Sequence, residues 1–235
     1  MTQTETQTET SFLDAQTRAQ VGERLQDLTV PVELRVYTAG AIVLPGEGER
    51  GLQQETLALL GEVAALNEHL TVHEVPLSSP EAQALGLTSA PTILLREAGS
   101  ERHNIRFLGL PAGYEFSTLI DTLRLLGSGQ SGLPGRLREE LAAVQAPVRM
   151  QAFVTPGCPY CPRAVLTAYR FALENPHILA EGIEATEFPR MADRYRIGGV
   201  PDTVIEGAAG TERVLGGQPE RVFLQSVLKA AGVAG

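Results

Sequence analysis

The stretch TPGCPYCP at residues 155–162 contains the only two cysteines of the chain, Cys158 and Cys161. Their spacing predicts two sulfurs about one helical turn apart, close enough to form a disulfide. We expect Cys158 in the first turn of a helix, where unpaired N–H groups and the helix dipole stabilise a thiolate. Cys158 is then the nucleophile, and the deeper Cys161 is the thiol that resolves a mixed disulfide. Pro159 suits the first position of such a helix.

The flanking sequence predicts a strand before this motif and a helix after it. Residues 148–154, VRMQAFV, have the character of a buried strand and end at a Thr-Pro-Gly turn. Apolar residues then recur at helical spacing and predict a helix over residues 159–174, which stops at Asn175 and Pro176. A strand, a Cys-x-x-Cys turn and a helix are the context in which this motif indicates redox chemistry.

Two non-catalytic interpretations compete with a redox role for the cysteine pair. A structural disulfide closing so small a loop would remove little chain entropy. A structural zinc site needs four ligands. The histidines available to complete it are not paired at a ligand spacing: His69, His73, His103 and His177. We therefore predict a redox pair and no metal.

Composition and charge limit the partners and the compartment that can be expected for the protein. The 235 residues carry a formal net charge of −9, which argues against nucleic acid and anionic membrane surfaces as partners. No segment reaches the apolar length of a membrane span. The polar repeat at residues 1–10 has no basic or apolar signal region, and we expect it to be disordered. These features predict a cytoplasmic protein, and in a reducing compartment two cysteines are more often catalytic than structural.

The predicted elements repeat along the chain. In the first half we predict a helix over 11–28 capped by Ser11, a loop over 39–51, helices over 52–66, 82–85 and 116–126, and strands over 32–38, 69–77, 90–95 and 104–108. In the second half we predict strands over 148–154 and 183–188, two strands flanking 207–210, and helices over 136–144, 159–174, 190–196 and 219–231. RFLG at 106–109 and RVLG at 213–216 occupy equivalent positions, and Pro91 and Pro201 open the strands before them. We infer an internal duplication, with domains over residues 11–131 and 132–235.

These residues resemble the thioredoxin and glutaredoxin superfamily, because CPYC at 158–161 is followed some forty residues later by Val200 and Pro201. The chain after its first ten residues resembles the tandem protein disulfide oxidoreductases, which are two-domain glutaredoxin-like proteins. The resemblance implies an α/β fold of two tandem thioredoxin-like domains, each a central mixed β-sheet flanked by helices. It also implies that Pro201 and Pro91 are cis, and that the backbone of Val200 pairs with an extended substrate segment.

Two positions depart from that family. The first half has Arg50 and Gln53 where a second Cys-x-x-Cys would lie. We therefore expect it to be a scaffold, a partner-binding surface or a support for the second half. Asp202, directly after Pro201, would either oppose thiolate formation at Cys158 or select basic substrates.

The group that accepts the proton of Cys161 is left open. Thioredoxins have a buried acid six residues before the first cysteine, and this chain has Ala152 there. Glu187 and water are the alternatives that remain.

The resemblance implies a cytoplasmic thiol–disulfide oxidoreductase that reduces or exchanges protein disulfides and needs no cofactor beyond the Cys158–Cys161 pair. Pro159 and Tyr160 between the cysteines resemble glutaredoxins, whose potentials lie at about −200 to −230 mV. The electron donor is expected to be glutathione or a flavoprotein of the thioredoxin-reductase kind. Alternative functions are isomerisation or oxidation of folding clients, and a non-catalytic adaptor whose cysteines act as a redox latch.

Overall fold

A computed structural model of the chain describes residues 11–39 and 47–233, with the backbone alone described for residues 47–50. In the first half the elements are α1 (Ala15–Leu25), β1 (Val32–Thr38), α2 (Glu47–Ala64), β2 (Leu70–Pro76), α3 (Pro80–Ala84), β3 (Thr92–Glu97), β4 (Ile105–Leu108) and α4 (Tyr114–Ser128). In the second half they are α5 (Gly135–Leu141), β5 (Val148–Val154), α6 (Cys161–Glu174), β6 (Ile178–Glu184), α7 (Pro189–Tyr195), β7 (Asp202–Gly207), β8 (Gly210–Leu215) and α8 (Glu220–Ala231). The predicted α/β class is confirmed.

The two halves share one mixed eight-stranded sheet, in the order β2-β1-β3-β4-β6-β5-β7-β8. In each half two strands run parallel and the next two pair antiparallel, so the duplication is visible in the topology. The halves join where β4 pairs parallel with β6, in the register Ile105↔Ala180 to Leu108↔Ile183. The sequence predicted a central sheet in each half, and this join was not foreseen.

Packing at the join explains why β4 and β6 meet closely. Gly182 has no side chain, and a Cβ there would lie 2.7 Å from the ring of Phe107 on β4. The Tyr169 hydroxyl of α6 donates a hydrogen bond to the carbonyl of Arg106, at 2.7 Å. Helix α4 of the first half also packs along α6 of the second half. The main apolar core runs continuously through both halves on this face of the sheet.

The main boundary errors have local causes. The first helix is capped by Asp14, whose side chain accepts the N–H of Thr17, while Ser11 donates to Glu62 instead. The second helix begins at Glu47, inside the predicted loop 39–51, so its glycines are tolerated despite their low helix propensity. The strand predicted over 183–188 is misplaced along the chain, because β6 runs Ile178–Glu184. The tail at 1–10 lies outside the described residues.

Among the described residues, no helix is both long enough and apolar enough to span a bilayer.

Candidate active site

The two cysteines lie between β5 and α6. The N–H of Cys158 donates to the carbonyl of Thr155 at 3.1 Å, which closes the turn after β5. The N–H of Cys161 donates to the carbonyl of Cys158 at 3.3 Å. The helix begins at Cys161 with Tyr160 as its N-cap, so the predicted start at residue 159 is wrong and Pro162, not Pro159, occupies the first turn. Proline fits there because an N–H in the first turn has no intrahelical partner.

Cys158 and Cys161 form a disulfide with a Cα–Cα separation of 5.5 Å. The bond fixes the sulfur of Cys158 against the first residue of α6, although Cys158 itself precedes the helix. Cys158 is 8% exposed and Cys161 is fully buried, which agrees with the predicted depth of the two thiols. An incoming thiol or disulfide can therefore reach only the outer sulfur, at the positive end of the α6 dipole.

The loop before β7 contains Val200 and Pro201, which were predicted to bind substrate. The Val200–Pro201 peptide is cis, as predicted, and Ala90–Pro91 is cis in the first half. Each proline carbonyl accepts a hydrogen bond from the last glycine of the repeated tetrapeptide: Gly216 to Pro201 at 2.8 Å and Gly109 to Pro91 at 3.0 Å. A Cβ on Gly217 would lie 2.8 Å from the carbonyl oxygen of Tyr160. The tetrapeptide turn therefore ties the cis-proline loop to the cysteine motif.

A shallow groove of about 470 Å³ runs beside the cis proline, lined by residues 198–202, Arg213, Leu215 and Gly216. The N–H and carbonyl of Val200 have no hydrogen-bond partner among the described residues. Two large apolar side chains stand out from the surface near it, with Tyr160 71% and Leu215 63% exposed. Free backbone groups next to exposed apolar side chains are what an extended peptide needs in order to add as a strand.

Asp202 does not face this groove as an open charge. It is 1% exposed, and both of its carboxylate oxygens accept hydrogen bonds from the guanidinium of Arg213. It pairs across strands with Phe153, which belongs to the apolar cluster under α7, on the face of the sheet away from the cysteines. Neither predicted effect of this carboxylate, opposing the thiolate or selecting basic substrates, fits a buried and neutralised group.

The first half touches the cysteine motif directly. The N–H of Tyr114 donates to the carbonyl of Pro156 at 2.9 Å. Gly113 approaches the same residue with φ 59°, and a side chain there would overlap the Pro156 carbonyl. Glycine is needed because both the backbone conformation and the space exclude a Cβ. The side chain of Tyr114 is itself half exposed.

Glu115, the next residue, is a buried carboxyl that the sequence pattern did not single out. It is 1% exposed, and neither side-chain oxygen has a hydrogen-bond partner among the described residues. Burial raises the pKa of Glu115 from 4.5 to about 7. It lies in the first turn of α4, which packs on the helix that begins with Cys161. The sequence did indicate that this residue is buried, because Glu115 lies on the same face of α4 as the buried residues Leu119, Thr122 and Leu126.

Glu187, one of the two alternatives left open for the proton of Cys161, also lies where the halves meet. Its carboxylate accepts the N–H of Leu110, at 3.0 Å to Oε2. Burial and the nearby charge of Glu184 raise the pKa of Glu187 to about 7, against the opposing effect of that hydrogen bond. Two carboxyls that titrate near neutral pH therefore lie where the halves meet, and Glu187 is the one already held by a backbone donor.

The equivalent end of the first half shows no such chemistry in its described part. The side chain of Gln53 accepts the N–H of Ala39 at 2.8 Å, so it serves the backbone of the turn after β1. The side chain of Arg50 lies outside the described residues. Within residues 11–39 and 51–233, no three His, Cys, Asp or Glu side chains are grouped as a metal site would require.

Comparison with known proteins agrees with this geometry. Residues 148–229 match the family model described as a thioredoxin domain. A solved protein disulfide oxidoreductase from Aeropyrum pernix is 28% identical, covers 93% of this chain and 94% of its own, and superimposes with a TM-score of 0.78. The alkylhydroperoxide reductase AhpF from Enterococcus faecalis is 25% identical, with coverages of 92% and 99% and a TM-score of 0.77. The chain has a thioredoxin-superfamily fold with a redox-type cysteine pair.

Among curated proteins, the corresponding alkyl hydroperoxide reductase component from Pseudomonas putida is 24% identical over 211 residues. The match covers 87% of this chain and 37% of that protein. The chain thus spans about a third of the length of the curated relatives it matches, along both of its halves.

Proposed function

We propose that this protein is a thiol–disulfide oxidoreductase that reduces or exchanges disulfides of other proteins. One observation carries the proposal: Cys158 and Cys161 are bonded at the start of α6, and only Cys158 reaches the surface. A purely structural bridge would not need one of its two cysteines at the surface. The match to a protein disulfide oxidoreductase over both halves supports the same activity.

The reaction begins from the reduced pair. The Cys158 thiolate attacks one sulfur of a substrate disulfide, which forms a mixed disulfide and releases the other substrate sulfur as a thiolate. Cys161 then loses its proton and attacks the Cys158 sulfur, which expels the second substrate thiolate. Two electrons have moved to the substrate, and the Cys158–Cys161 disulfide must be reduced again by a donor. The pair serves as the redox group, and no further cofactor is proposed.

The groove beside the cis proline is the proposed substrate site. The backbone of Val200 binds an extended segment, while Pro201, Pro159 and Tyr160 bound the space in front of Cys158. Asp202 acts indirectly, because its ion pair with Arg213 fixes the end of β7 that carries Pro201.

Glu115 is the proposed acceptor of the Cys161 proton. Its pKa of about 7 allows it to exchange a proton near neutral pH. It has no competing partner among the described residues, whereas Glu187 is bound to the N–H of Leu110. The first half then has a chemical role as well as the structural one seen at Pro156.

The proposed partners are disulfide-containing proteins and one electron donor, either glutathione or a thioredoxin-reductase-like flavoprotein. Because several relatives are named as components of alkyl hydroperoxide reductase, we include the disulfide of a peroxide-reducing protein among the candidate substrates. The proposed location is the cytoplasm, which keeps such a pair cycling through its reduced state.

Trapping tests this function. The full-length Cys161→Ser variant should stall as a mixed disulfide through Cys158 with a disulfide-bonded protein such as insulin. The Cys158→Ser variant is the matched control and should form no adduct and turn over no substrate. Adducts that form equally with both variants, or insulin that stays oxidised with the wild-type protein and a thiol donor, would refute the proposal. Refolding of scrambled ribonuclease distinguishes isomerisation, and partner capture that survives Cys158→Ser indicates an adaptor.

A further inference from the structure

A second groove, of about 230 Å³, lies on the face of the sheet away from the cysteines. On β5, Met150, Ala152 and Val154 join the core under α6, so the alternate residues Arg149 and Gln151 point to the other face. There α7 covers an apolar cluster of the second half and α3 covers one of the first. Between these short helices, the central strands β4, β6 and β5 form the floor of the groove. Both halves therefore contribute to it.

The lining of this groove is positively charged. It contains three arginines, Arg106, Arg149 and Arg194, and one carboxylate, Glu181. Glu181 lies between two of them, at 2.7 Å from Arg149 and 3.6 Å from Arg106. Arg194 stacks on the ring of Tyr195 at 5.5 Å and forms no ion pair within the described part of the chain. The lining residues thus have two positive charges in excess, and one if Glu206 is counted, which lies opposite Arg149 on β7 just outside the lining. The protein as a whole has a net charge of −9.

The floor also holds a buried polar side chain with no partner. Gln151 is fully buried, and neither its amide nitrogen nor its amide oxygen has a hydrogen-bond partner among the described residues. Buried amides are nearly always hydrogen-bonded, so an unpaired one in a groove calls for an explanation. An apolar residue of similar size would fill this place on β5 without that cost.

We propose that this groove is a binding site for a small oxyanion, a phosphate or a carboxylate. Guanidinium groups bind both through charge-assisted, often bidentate hydrogen bonds, and a desolvated amide adds a donor at the floor. The size limits the ligand, because drug-sized molecules occupy pockets of about 300 Å³ or more. The site is separate from the proposed substrate groove, because the two grooves share no lining residue.

Isothermal titration calorimetry of the full-length protein tests the proposal, with inorganic phosphate and acetate as separate probes. We expect saturable binding of at least one probe, and the tighter one identifies the source of the anion. Arg194→Gln and Gln151→Leu should each weaken binding by about tenfold, the loss of one charge-assisted or buried hydrogen bond. Arg190→Gln is the matched control, because Arg190 is exposed on the same helix and does not line the groove. Insulin reduction should be unchanged in all three variants.

Two results would overturn the inference. One is the absence of saturable binding of either probe at millimolar concentration. The other is binding that Arg190→Gln weakens as much as Arg194→Gln does, which would indicate general attraction to surface charge. Gln151→Leu also has a readout that needs no ligand, because it should raise the melting temperature of the free protein. The further rise that phosphate or acetate causes in the wild type should be smaller in this variant.

Discussion

The buried carboxyl of Glu115 should make the stability of this fold depend on pH, and Glu115→Gln should remove that dependence. Glutamine has nearly the same shape and stays neutral. In the wild type, burial raises the pKa of Glu115 from 4.5 to about 7, so the folded protein holds this proton more tightly than the unfolded chain does. The stabilising contribution is therefore complete below pH 4.5 and is lost as the pH rises through 7.

The magnitude follows from the two pKa values. One pKa unit corresponds to about 1.4 kcal/mol, so the change from 4.5 to about 7 amounts to roughly 3 kcal/mol of unfolding free energy. This is an upper bound, because water that enters the site on ionisation lowers the cost. Relative to the wild type, Glu115→Gln should be equally stable at about pH 4.5 and more stable by up to about 3 kcal/mol at about pH 8.

Urea denaturation of both proteins from about pH 4.5 to about pH 8 measures this difference. Glu139→Gln on α5 is the control for loss of one charge, because Glu139 is exposed and forms no ion pair with a described residue. Glu187 also makes the unfolding free energy fall as the pH rises, because its pKa is raised to about 7 as well. This contribution is the same in both proteins and cancels in the difference. A constant offset between wild type and Glu115→Gln across this range would refute the assignment of a raised pKa to Glu115.

Three further predictions follow from the site. Gly113→Ala should lower the unfolding free energy measured in urea by about 2–3 kcal/mol, because the backbone there is strained for alanine and the new Cβ overlaps the Pro156 carbonyl. Gly99→Ala is the control: Gly99 has φ 75° and open space around it, so the substitution should show only the smaller cost of backbone strain. Arg213→Met should lower the unfolding free energy by about 2 kcal/mol, because it leaves the buried Asp202 carboxylate without its partner. Adding Asp202→Asn to this variant should restore most of that stability. If it does not, the loss comes from packing of the Arg213 side chain and not from the ion pair. Glu115→Gln should slow resolution of the mixed disulfide about tenfold at pH 7 and flatten its pH profile, measured by single-turnover kinetics, whereas Glu187→Gln should change it less.

Local patterns were enough to predict much of the fold. The strands at 32–38 and 148–154 have the bounds that their patterns predict, because each lies in one half of the sheet with regular neighbours on both sides. The sixth strand was placed too late because it is covered on both faces. Such strands do not alternate, and Ile178 and Ala180 are as buried as Ile183.

The features that depend on long-range contacts were not predictable in this way. The β4–β6 pairing joins residues about 75 positions apart in the sequence, such as Ile105 and Ala180, and rests on Gly182 leaving room for Phe107. The cysteine pair and the cis prolines were predicted from the motif, the duplication and the family resemblance. The charge of Asp202 was misjudged because its partner, Arg213, lies on another strand. Glu115 was overlooked because the sequence does not show that α4 of one half packs against the redox helix of the other.

The central claim, that Cys158 is an activated nucleophile, is tested most directly by the rate at which iodoacetamide alkylates the reduced protein as a function of pH. Mass spectrometry follows modification at each cysteine. We expect Cys158 to react first and with an apparent pKa of about 7 or lower, while Cys161 stays protected. An apparent pKa of about 8.5 at Cys158, the value of a free cysteine, or equal modification of both thiols would contradict that claim.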